Sequence, residues 1–286
     1  MTMETISDIG VTESGRPSRV VVLVDASPQA LHALELAAAL ARHHRVPLLA
    51  VSVEEPDRER SLAYGFAREV GALSGTIRPV AGSRHDRNME RQPAYIRRAI
   101  ERAVRASNIS WKLLMRRGRL VEEVLALSEP GDCLLLGRVG WSARLGRKLG
   151  ATPLTLARQA TSTVQICSAV PANQRGQVAV LIEDVASAPA LMSLAADRAR
   201  IAARGLVVLV SPSANENTTS QGELLTGKTP ECRLRSLATL TTGEMLQALA
   251  GERVVELVVR RGGDWLASSA PRRILERLPL TVVVVD

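Results

Sequence analysis

The sequence predicts an α/β protein built from two tandem doubly wound units, each a five-stranded, mainly parallel sheet with helices on both faces. Two observations carry this prediction. Short runs rich in Val, Ile and Leu alternate with segments whose apolar residues recur at helical spacing. The same pattern then restarts near residue 176, as it does in proteins that repeat one domain.

The first unit opens with a strand, a helix and a second strand. Residues 19–24 (RVVVLV) form a continuous β-branched run, which is typical of a parallel strand covered on both faces. Ser27 and Pro28 are a favourable N-cap and first residue for a helix over 29–43, and residues 47–53 supply the next strand. Further strands are expected at 109–116, 133–136 and 162–167, helices at 60–72, 93–107, 120–128 and 153–159, and a loop over 74–89.

The second unit repeats this order, with strands at 178–182 and 206–210 around a helix at 190–203. Its end, SSAPRRILERLPLTVVVVD from Ser268, lies without gaps against GATPLTLARQATSTVQICS from Gly150. The repeated order and this alignment indicate a tandem repeat of one domain.

We therefore divide the chain into a flexible leader (1–18), a first domain (19–170), a linker (171–176) and a second, degenerate domain (177–286). The last strand of each domain is apolar, and an exposed apolar edge strand would promote aggregation. We expect the two domains to pack through these strands as an intramolecular pseudo-dimer.

The stretch after the strand at 133–136 suggests a function. Gly137 and Gly140 stand at the strand exit, and Gly150 precedes Thr152 and Pro153, which read as an N-cap and a first helical residue. Glycines at a strand exit let backbone N–H groups approach an anion, and a helix N-terminus adds further donors. Basic side chains in the loop suit a phosphate, although a solvated basic loop would carry them too: Arg138, Arg144, Arg147 and Lys148.

These residues resemble those of the universal stress protein family. Its nucleotide-binding members have an Asp at the end of the first strand, here Asp25, and a G-x2-G-x9-G-(S/T) motif after the fourth. The resemblance implies a stress-response regulator that binds ATP or another adenine nucleotide, with or without Mg²⁺. The family pattern implies these ligand contacts: Asp25, Val53 and Leu136 toward the adenosine, and Gly137, Arg138, Gly140, Gly150, Ala151 and Thr152 toward the ribose and phosphates.

One position departs from the family motif. Ala151 stands where the motif has Ser or Thr, so one hydroxyl ligand to phosphate is missing. Thr152 can replace that hydroxyl only if it is not occupied as the helix N-cap. A neutral hydrogen bond contributes about 0.5 to 1.5 kcal/mol, so we expect binding to be weakened up to about tenfold and not abolished.

The second copy departs further. Arg260 stands at the place of Gly137, and Gly263 keeps the position of Gly140. Four residues, among them Trp265, separate Gly263 from Ser268, too few to wrap a triphosphate as the first loop would. We therefore expect one nucleotide per chain.

A second phosphate motif is present in residues 222–229 (GELLTGKT), which satisfy the P-loop pattern letter for letter. That pattern requires a strand that runs directly into it and a helix that follows. The preceding strand ends at Val210, and eleven residues separate it from Gly222, although Pro230 is able to start a helix. We interpret the motif as an exposed loop and keep a P-loop NTPase as the less favoured alternative.

Composition narrows the remaining functions. A net charge of +8 favours acidic partners, but an aromatic content of 2% argues against stacking on single-stranded nucleic acid. Three dispersed cysteines and the lack of a signal or membrane-spanning pattern lead us to expect a cytoplasmic protein without a metal or disulfide. No acid, His or nucleophile is placed by a motif to act with Asp25, so we expect a binding protein and not an enzyme. The alternative is an interaction module of the same fold that binds no nucleotide; protein partners and a homodimer are left open.

Overall fold

The computed structural model describes residues 16–25, 27–55, 68–70, 77–79, 82–105, 108–138, 151–168, 176–216 and 232–286. The α/β class is confirmed, because mainly parallel strands alternate with helices along the chain. The strands are β1 (Arg19–Leu23), β2 (Leu48–Glu54), β3 (Arg68–Val70), β4 (Ile77–Pro79), β5 (Trp111–Arg117), β6 (Asp132–Gly137), β7 (Thr163–Cys167), β8 (Gln177–Ile182), β9 (Leu206–Val210), β10 (Cys232–Ser236), β11 (Val254–Arg260) and β12 (Thr281–Val285). The helices are α1 (Pro28–His44), α2 (Gly82–Val104), α3 (Leu120–Leu127), α4 (Ala151–Gln159), α5 (Ala188–Ile201), α6 (Pro212–Glu216), α7 (Thr242–Gly251), α8 (Asp264–Ala267) and α9 (Ala270–Arg277).

Ten of these strands form one continuous sheet, in the order β10-β9-β8-β11-β12-β7-β6-β1-β2-β5. Each half of this order is the same doubly wound arrangement of five strands. Where the sequence suggests two separate sheets, the halves are hydrogen-bonded into one. Within each half all the pairs are parallel.

The two halves meet where β7 and β12 pair in antiparallel fashion, and we call this contact the seam. Val283 lies opposite Gln165, and the backbone N–H of Ser168 donates to Thr281 Oγ1 at 3.2 Å. The two apolar terminal strands expected to meet do so. Without this pairing, β7 and β12 would each expose unpaired backbone groups, and each strand covers the edge of the other.

Arginines reinforce the seam. In the second half, Arg261 follows β11 and donates through Nη1 to the carbonyl of Ala157 at 2.6 Å and through Nη2 to that of Ser162. In the first half, Arg158 of α4 donates to the carbonyl of Leu266 at 3.0 Å. Ala157 lies in the last turn of α4, where the unpaired carbonyls and the negative end of the helix dipole favour a cation.

The core differs between the two faces of the sheet. On one face, a single hydrophobic cluster extends across both halves. On the other, one cluster lies under α1 and α2 and a separate cluster lies under α5. The second face therefore has a break in its apolar core between the halves.

The first helix begins as the sequence predicts. Ser27 is the N-cap of α1, and its Oγ accepts a hydrogen bond from the N–H of Ala30 at 3.2 Å. Pro28 occupies the first helical position, where its missing N–H costs no hydrogen bond.

The predictions for 60–89 are partly wrong. Residues 68–70 form a strand where a helix is expected, paired with β4, and α2 begins at Gly82 within the expected loop. Residues 84–92 contain Arg, Glu, Met and Gln, which are good helix formers, so the helix continues upstream of Pro93. Strands of three residues carry too little periodicity to be read from sequence.

An ion pair fixes the register of β1 against β6. Arg19 and Asp132 lie opposite each other, and Arg19 donates to both carboxylate oxygens of Asp132, at 3.0 and 2.6 Å. The side chain of Asp132 is 1% exposed, whereas Glu129, 3.4 Å from the same guanidinium, is 73% exposed. The pKa of Arg19 is raised, chiefly by its hydrogen bond to Asp132.

The burial of Asp132 leads to a stability prediction. Replacing Asp132 with Ala leaves the Arg19 guanidinium without its buried partner, and we expect a loss of about 3 to 5 kcal/mol in the free energy of unfolding. Glu129→Ala removes the exposed partner of the same guanidinium and should cost less than about 1 kcal/mol. Urea unfolding of both variants measures this difference, and equal losses would contradict the assigned role of Asp132.

Candidate functional site

The candidate site lies where β2, β1 and β6 end side by side. These three strands are parallel neighbours, so their carboxyl ends meet at one edge of the sheet. From β1 the chain passes to β2 on one side, and it returns to β6 on the other. The gap between β1 and β6 is therefore the topological switch point, where doubly wound sheets offer a crevice for ligands.

Three predicted residues come together at this edge. Leu23 pairs with Val51 and Val22 with Leu135, so Asp25, Val53 and Leu136 follow within two positions of one another on neighbouring strands. Asp25 and Val53 are half-buried, and Leu136 is buried within the core. These three residues thus combine a carboxylate with apolar side chains.

The Asp25 carboxylate is oriented by the turn into α1. Its Oδ1 accepts a hydrogen bond from the backbone N–H of Ser27 at 3.0 Å. Ser27 in turn caps the helix through its own hydroxyl. The position of the Asp25 side chain is therefore coupled to the start of α1.

Gly137 is the last residue of β6, and it packs against the first turn of α1. A Cβ added at Gly137 would lie 3.1 Å from Cβ of Gln29 and 3.2 Å from its carbonyl carbon. These contacts are tighter than side chains normally make, so close packing of strand and helix by itself favours glycine here. The sequence interpretation, which assigned Gly137 to ligand approach, misses this packing role.

The helix that follows the predicted loop begins earlier than expected. Helix α4 starts at Ala151, so Thr152 lies inside its first turn, and the prediction that Thr152 is the N-cap is wrong. Pro153 remains compatible, because proline is tolerated anywhere in the first turn. Ala151 is exposed and Thr152 is half-buried. The intervening residues 139–150, including Gly140, Gly150, Arg144, Arg147 and Lys148, lie outside the described residues.

Arg138 makes contacts at the seam. Its Nη1 donates to the carbonyl of Leu278 in the second half at 2.9 Å and to Ser168 Oγ at 3.3 Å. Burial lowers the pKa of Arg138, and the carboxylate of Glu276 opposes that shift. The guanidinium predicted to contact phosphate is thus engaged with the other half of the chain.

The second half has a carboxylate of its own at the equivalent place. Val178 pairs with Leu206 as Val20 pairs with Leu48, which puts Glu183 at the position of Asp25. Its Oε1 accepts a hydrogen bond from the backbone N–H of Trp265 at 2.8 Å. Sequence reasoning missed this role of Glu183, although aligning RVVVLVD with QVAVLIE in place would have revealed it.

Trp265 and Gly263 pack closely around the Glu183 carboxylate. The Trp265 side chain is fully buried, and a Cβ at Gly263 would lie 2.0 Å from Glu183 Oε2. Within the described part of the chain, neither Glu183 Oε2 nor Trp265 Nε1 has a hydrogen-bond partner. The chain's own side chains therefore fill the place that corresponds to the candidate site of the first half.

The structure removes the basis of the P-loop alternative. Residues 222–229 lie outside the described residues, but the segment that follows is strand β10 and not the helix that Pro230 was able to start. The nearest described segment before them is the short helix α6, which ends at Glu216. A P-loop needs the reverse arrangement, with a strand before and a helix after.

Two of the three cysteines are buried in the sheet. Cys133 and Cys167 are buried on β6 and β7, and burial raises the pKa of the Cys133 thiol to about 11 and that of Cys167 further still. Both are therefore thiols at neutral pH, which are poor nucleophiles. Among the described residues, no cluster of three metal-ligating side chains occurs, and no helix is both long and apolar enough to span a bilayer.

Comparison with known proteins identifies a family and a fold. The model of the universal stress protein family matches residues 17–168. The chain is similar to a universal stress protein from Archaeoglobus fulgidus (TM-score 0.63, 14% identity, covering 95% of this chain and 97% of that one). It is also similar to a putative universal stress protein from Pseudomonas aeruginosa (TM-score 0.59, 14% identity, covering 94% and 93%). No curated protein matches the chain in sequence.

The burial of Glu183 generates a pH prediction. Burial raises the pKa of this carboxyl above its usual 4.5, so the unfolded state releases its proton first, and the contribution to stability falls as the pH rises above that value. Glu183→Gln keeps the acceptor for Trp265 N–H and removes the buried charge. We therefore expect the free energy of unfolding of the variant, relative to that of the parent, to increase from pH 4 to pH 8.

Urea unfolding at both pH values measures this change, with the exposed Asp184→Asn as the matched control. A stability difference between Glu183→Gln and the parent that is the same at pH 4 and pH 8 would contradict a costly buried charge.

Proposed function

The chain belongs to the universal stress protein family, and on this premise we propose that its first half binds one adenine nucleotide and that the protein acts as a stress-response regulator through this binding. The carboxyl edge of β1 and β6 is the observation that carries the proposal. Asp25 follows the end of β1 by two residues and Gly137 is the last residue of β6, so they flank the switch point of the sheet.

Asp25 suits the ribose of a nucleotide. A carboxylate oriented from the backbone, as Asp25 is by Ser27, accepts hydrogen bonds from hydroxyl groups without losing much side-chain freedom. Val53, which is half-buried, offers apolar surface to a base, and Leu136 belongs to the core against which Val53 packs. The phosphates would lie toward Gly140, Gly150 and the start of α4 at Ala151 and Thr152, where N-terminal N–H groups are available.

A single site per chain follows from the difference between the halves. The equivalent place in the second half is filled by Glu183 and Trp265. A nucleotide there would have to displace a buried tryptophan and approach a buried carboxylate. We therefore assign the second half to packing across the seam.

Binding without catalysis is the role we propose. The residues grouped at the switch point offer one carboxylate, and hydrolysis of ATP, with or without Mg²⁺, would be slow at most. The Ala151 departure favours one alternative, an interaction module of the same fold that binds no nucleotide. ATP raises the melting temperature of a protein that binds it in the folded state, so thermal unfolding with and without ATP distinguishes the two.

The role of Asp25 is tested by calorimetric titration with ATP, ADP and AMP. We expect one nucleotide per chain and a loss of about tenfold or more in affinity on Asp25→Asn, because hydrogen bonds to a charged group contribute about 1.5 to 3 kcal/mol. Asn keeps an acceptor for the Ser27 N–H, so the turn into α1 is preserved.

Glu183→Gln is the matched control, since it changes the equivalent carboxylate in the second half. Its affinity should equal that of the parent. Two equivalent sites, or equal binding by the parent and Asp25→Asn, would refute this site assignment.

The missing hydroxyl predicts a gain of function. Ala151→Thr places a hydroxyl where the family motif has one, and we expect ATP affinity to rise by up to about tenfold, corresponding to one neutral hydrogen bond. Ala151→Val has the same shape as the threonine variant without the hydroxyl and controls for helix propensity. If both variants bind equally well, residue 151 does not contact phosphate.

A further inference from the structure

A cavity of about 330 Å³ lies between the ends of α1 and α5, on the face of the sheet whose apolar core is interrupted. It is separate from the residues assigned to the nucleotide. Its volume is within the range of pockets that hold small metabolites. The lining combines charged and aliphatic side chains: Arg16, Leu40, His44, Leu194, Asp197, Arg198, Arg200, Ile201, Ala202 and Glu256.

The cavity contains an ion pair that is mostly buried. Arg198 Nε donates to Glu256 Oε1, and Arg198 Nη2 donates to Gln165 Oε1 across the seam at 2.9 Å. The two charged side chains are 16% and 17% exposed. In the described part of the chain, Arg198 Nη1 and Glu256 Oε2 make no further hydrogen bond. One cationic donor and one anionic acceptor of this pair thus have no partner among the described residues.

The other charges around the cavity are balanced or occupied. Arg200 pairs with Asp197 at 2.9 Å, and Arg16 donates to the backbone carbonyl of His44 at 3.0 Å. Burial lowers the pKa of His44, helped by the nearby charges of His43, Arg16 and Arg198, which favours the neutral imidazole. The Arg198–Glu256 pair, 16% and 17% exposed, is therefore the more buried of the two ion pairs around the cavity.

The aliphatic part of the lining is unusually exposed. Ile201 is 50% exposed, and Leu40 and Leu194 are partly buried residues at the margins of the two separate cores. These side chains come from both halves of the chain. They supply an apolar surface beside the ion pair.

We propose that this cavity binds a free apolar α-amino acid. Its carboxylate would accept from Arg198 Nη1, its ammonium group would donate to Glu256 Oε2, and its side chain would lie against Leu40, Leu194 and Ile201. A zwitterion can form a charged hydrogen bond with each member of the pair, whereas a simple anion would meet the carboxylate of Glu256 and a simple cation the guanidinium of Arg198.

Isosteric ligands test this assignment on the unmodified protein. Calorimetric titration with L-leucine is compared with 4-methylpentanoate, which lacks the ammonium group, and with 3-methylbutylamine, which lacks the carboxylate. We expect leucine to bind at least about tenfold more tightly than either analogue, because each lacks one charged hydrogen bond. No leucine binding up to about 10 mM, or equal binding of the three ligands, would overturn the proposal.

A pair of variants locates the site. Ala202→Phe puts a ring into the cavity and should reduce leucine binding at least about tenfold, whereas Ser193→Phe, at an exposed position of α5 outside the cavity lining, should not change it. Equal effects of the two variants would overturn the assignment. Both variants should bind ATP like the parent, so a failure of this proposal is distinguishable from a failure of the nucleotide site.

Discussion

The antiparallel pairing of β7 with β12 is the constraint on which the architecture depends. Each half ends in an apolar strand whose outer backbone groups need partners, and each half supplies the partner for the other. This pairing aligns the halves in opposite directions and brings Arg138, Arg158 and Arg261 within reach of carbonyls across the seam. The same arrangement brings the ends of α1 and α5 to the cavity that contains Arg198 and Glu256.

The two halves have different surroundings for the carboxylate that follows their first strand. Asp25 stands half-buried at the end of β1, where the neighbouring turn orients it. Glu183, one methylene longer at the equivalent place, reaches the backbone of Trp265 and is enclosed by it. A short loop after β11 makes this enclosure possible, because it brings the tryptophan directly over the strand end. In the second half, packed side chains occupy the place that corresponds to the candidate site of the first half.

Much of the fold could be predicted from the sequence, because buried parallel strands and a capped helix have strong local signals. Residues 206–210 form a strand with the bounds predicted for it, and Ser27 caps α1 as expected. The failures have physical causes: β3 and β4 have three residues each, too few to show a periodicity, and Thr152 matched an N-cap pattern although it lies inside the first turn of α4. Strand β10 depends on its pairing with β9. The seam contact of Arg138 was not predictable, since Leu278 lies 140 residues away. Asp25, Val53 and Leu136 meet at one edge, and their contact with a nucleotide stays a prediction.

Joining the halves in a single chain has a consequence for how the protein behaves on dilution. Two separate subunits paired through strands such as β7 and β12 would dissociate at low concentration, according to their affinity. A covalent connection instead holds the partners at an effective concentration on the order of millimolar, whatever the amount of protein present. The paired state is then independent of expression level, and one half is free to diverge without producing mismatched assemblies.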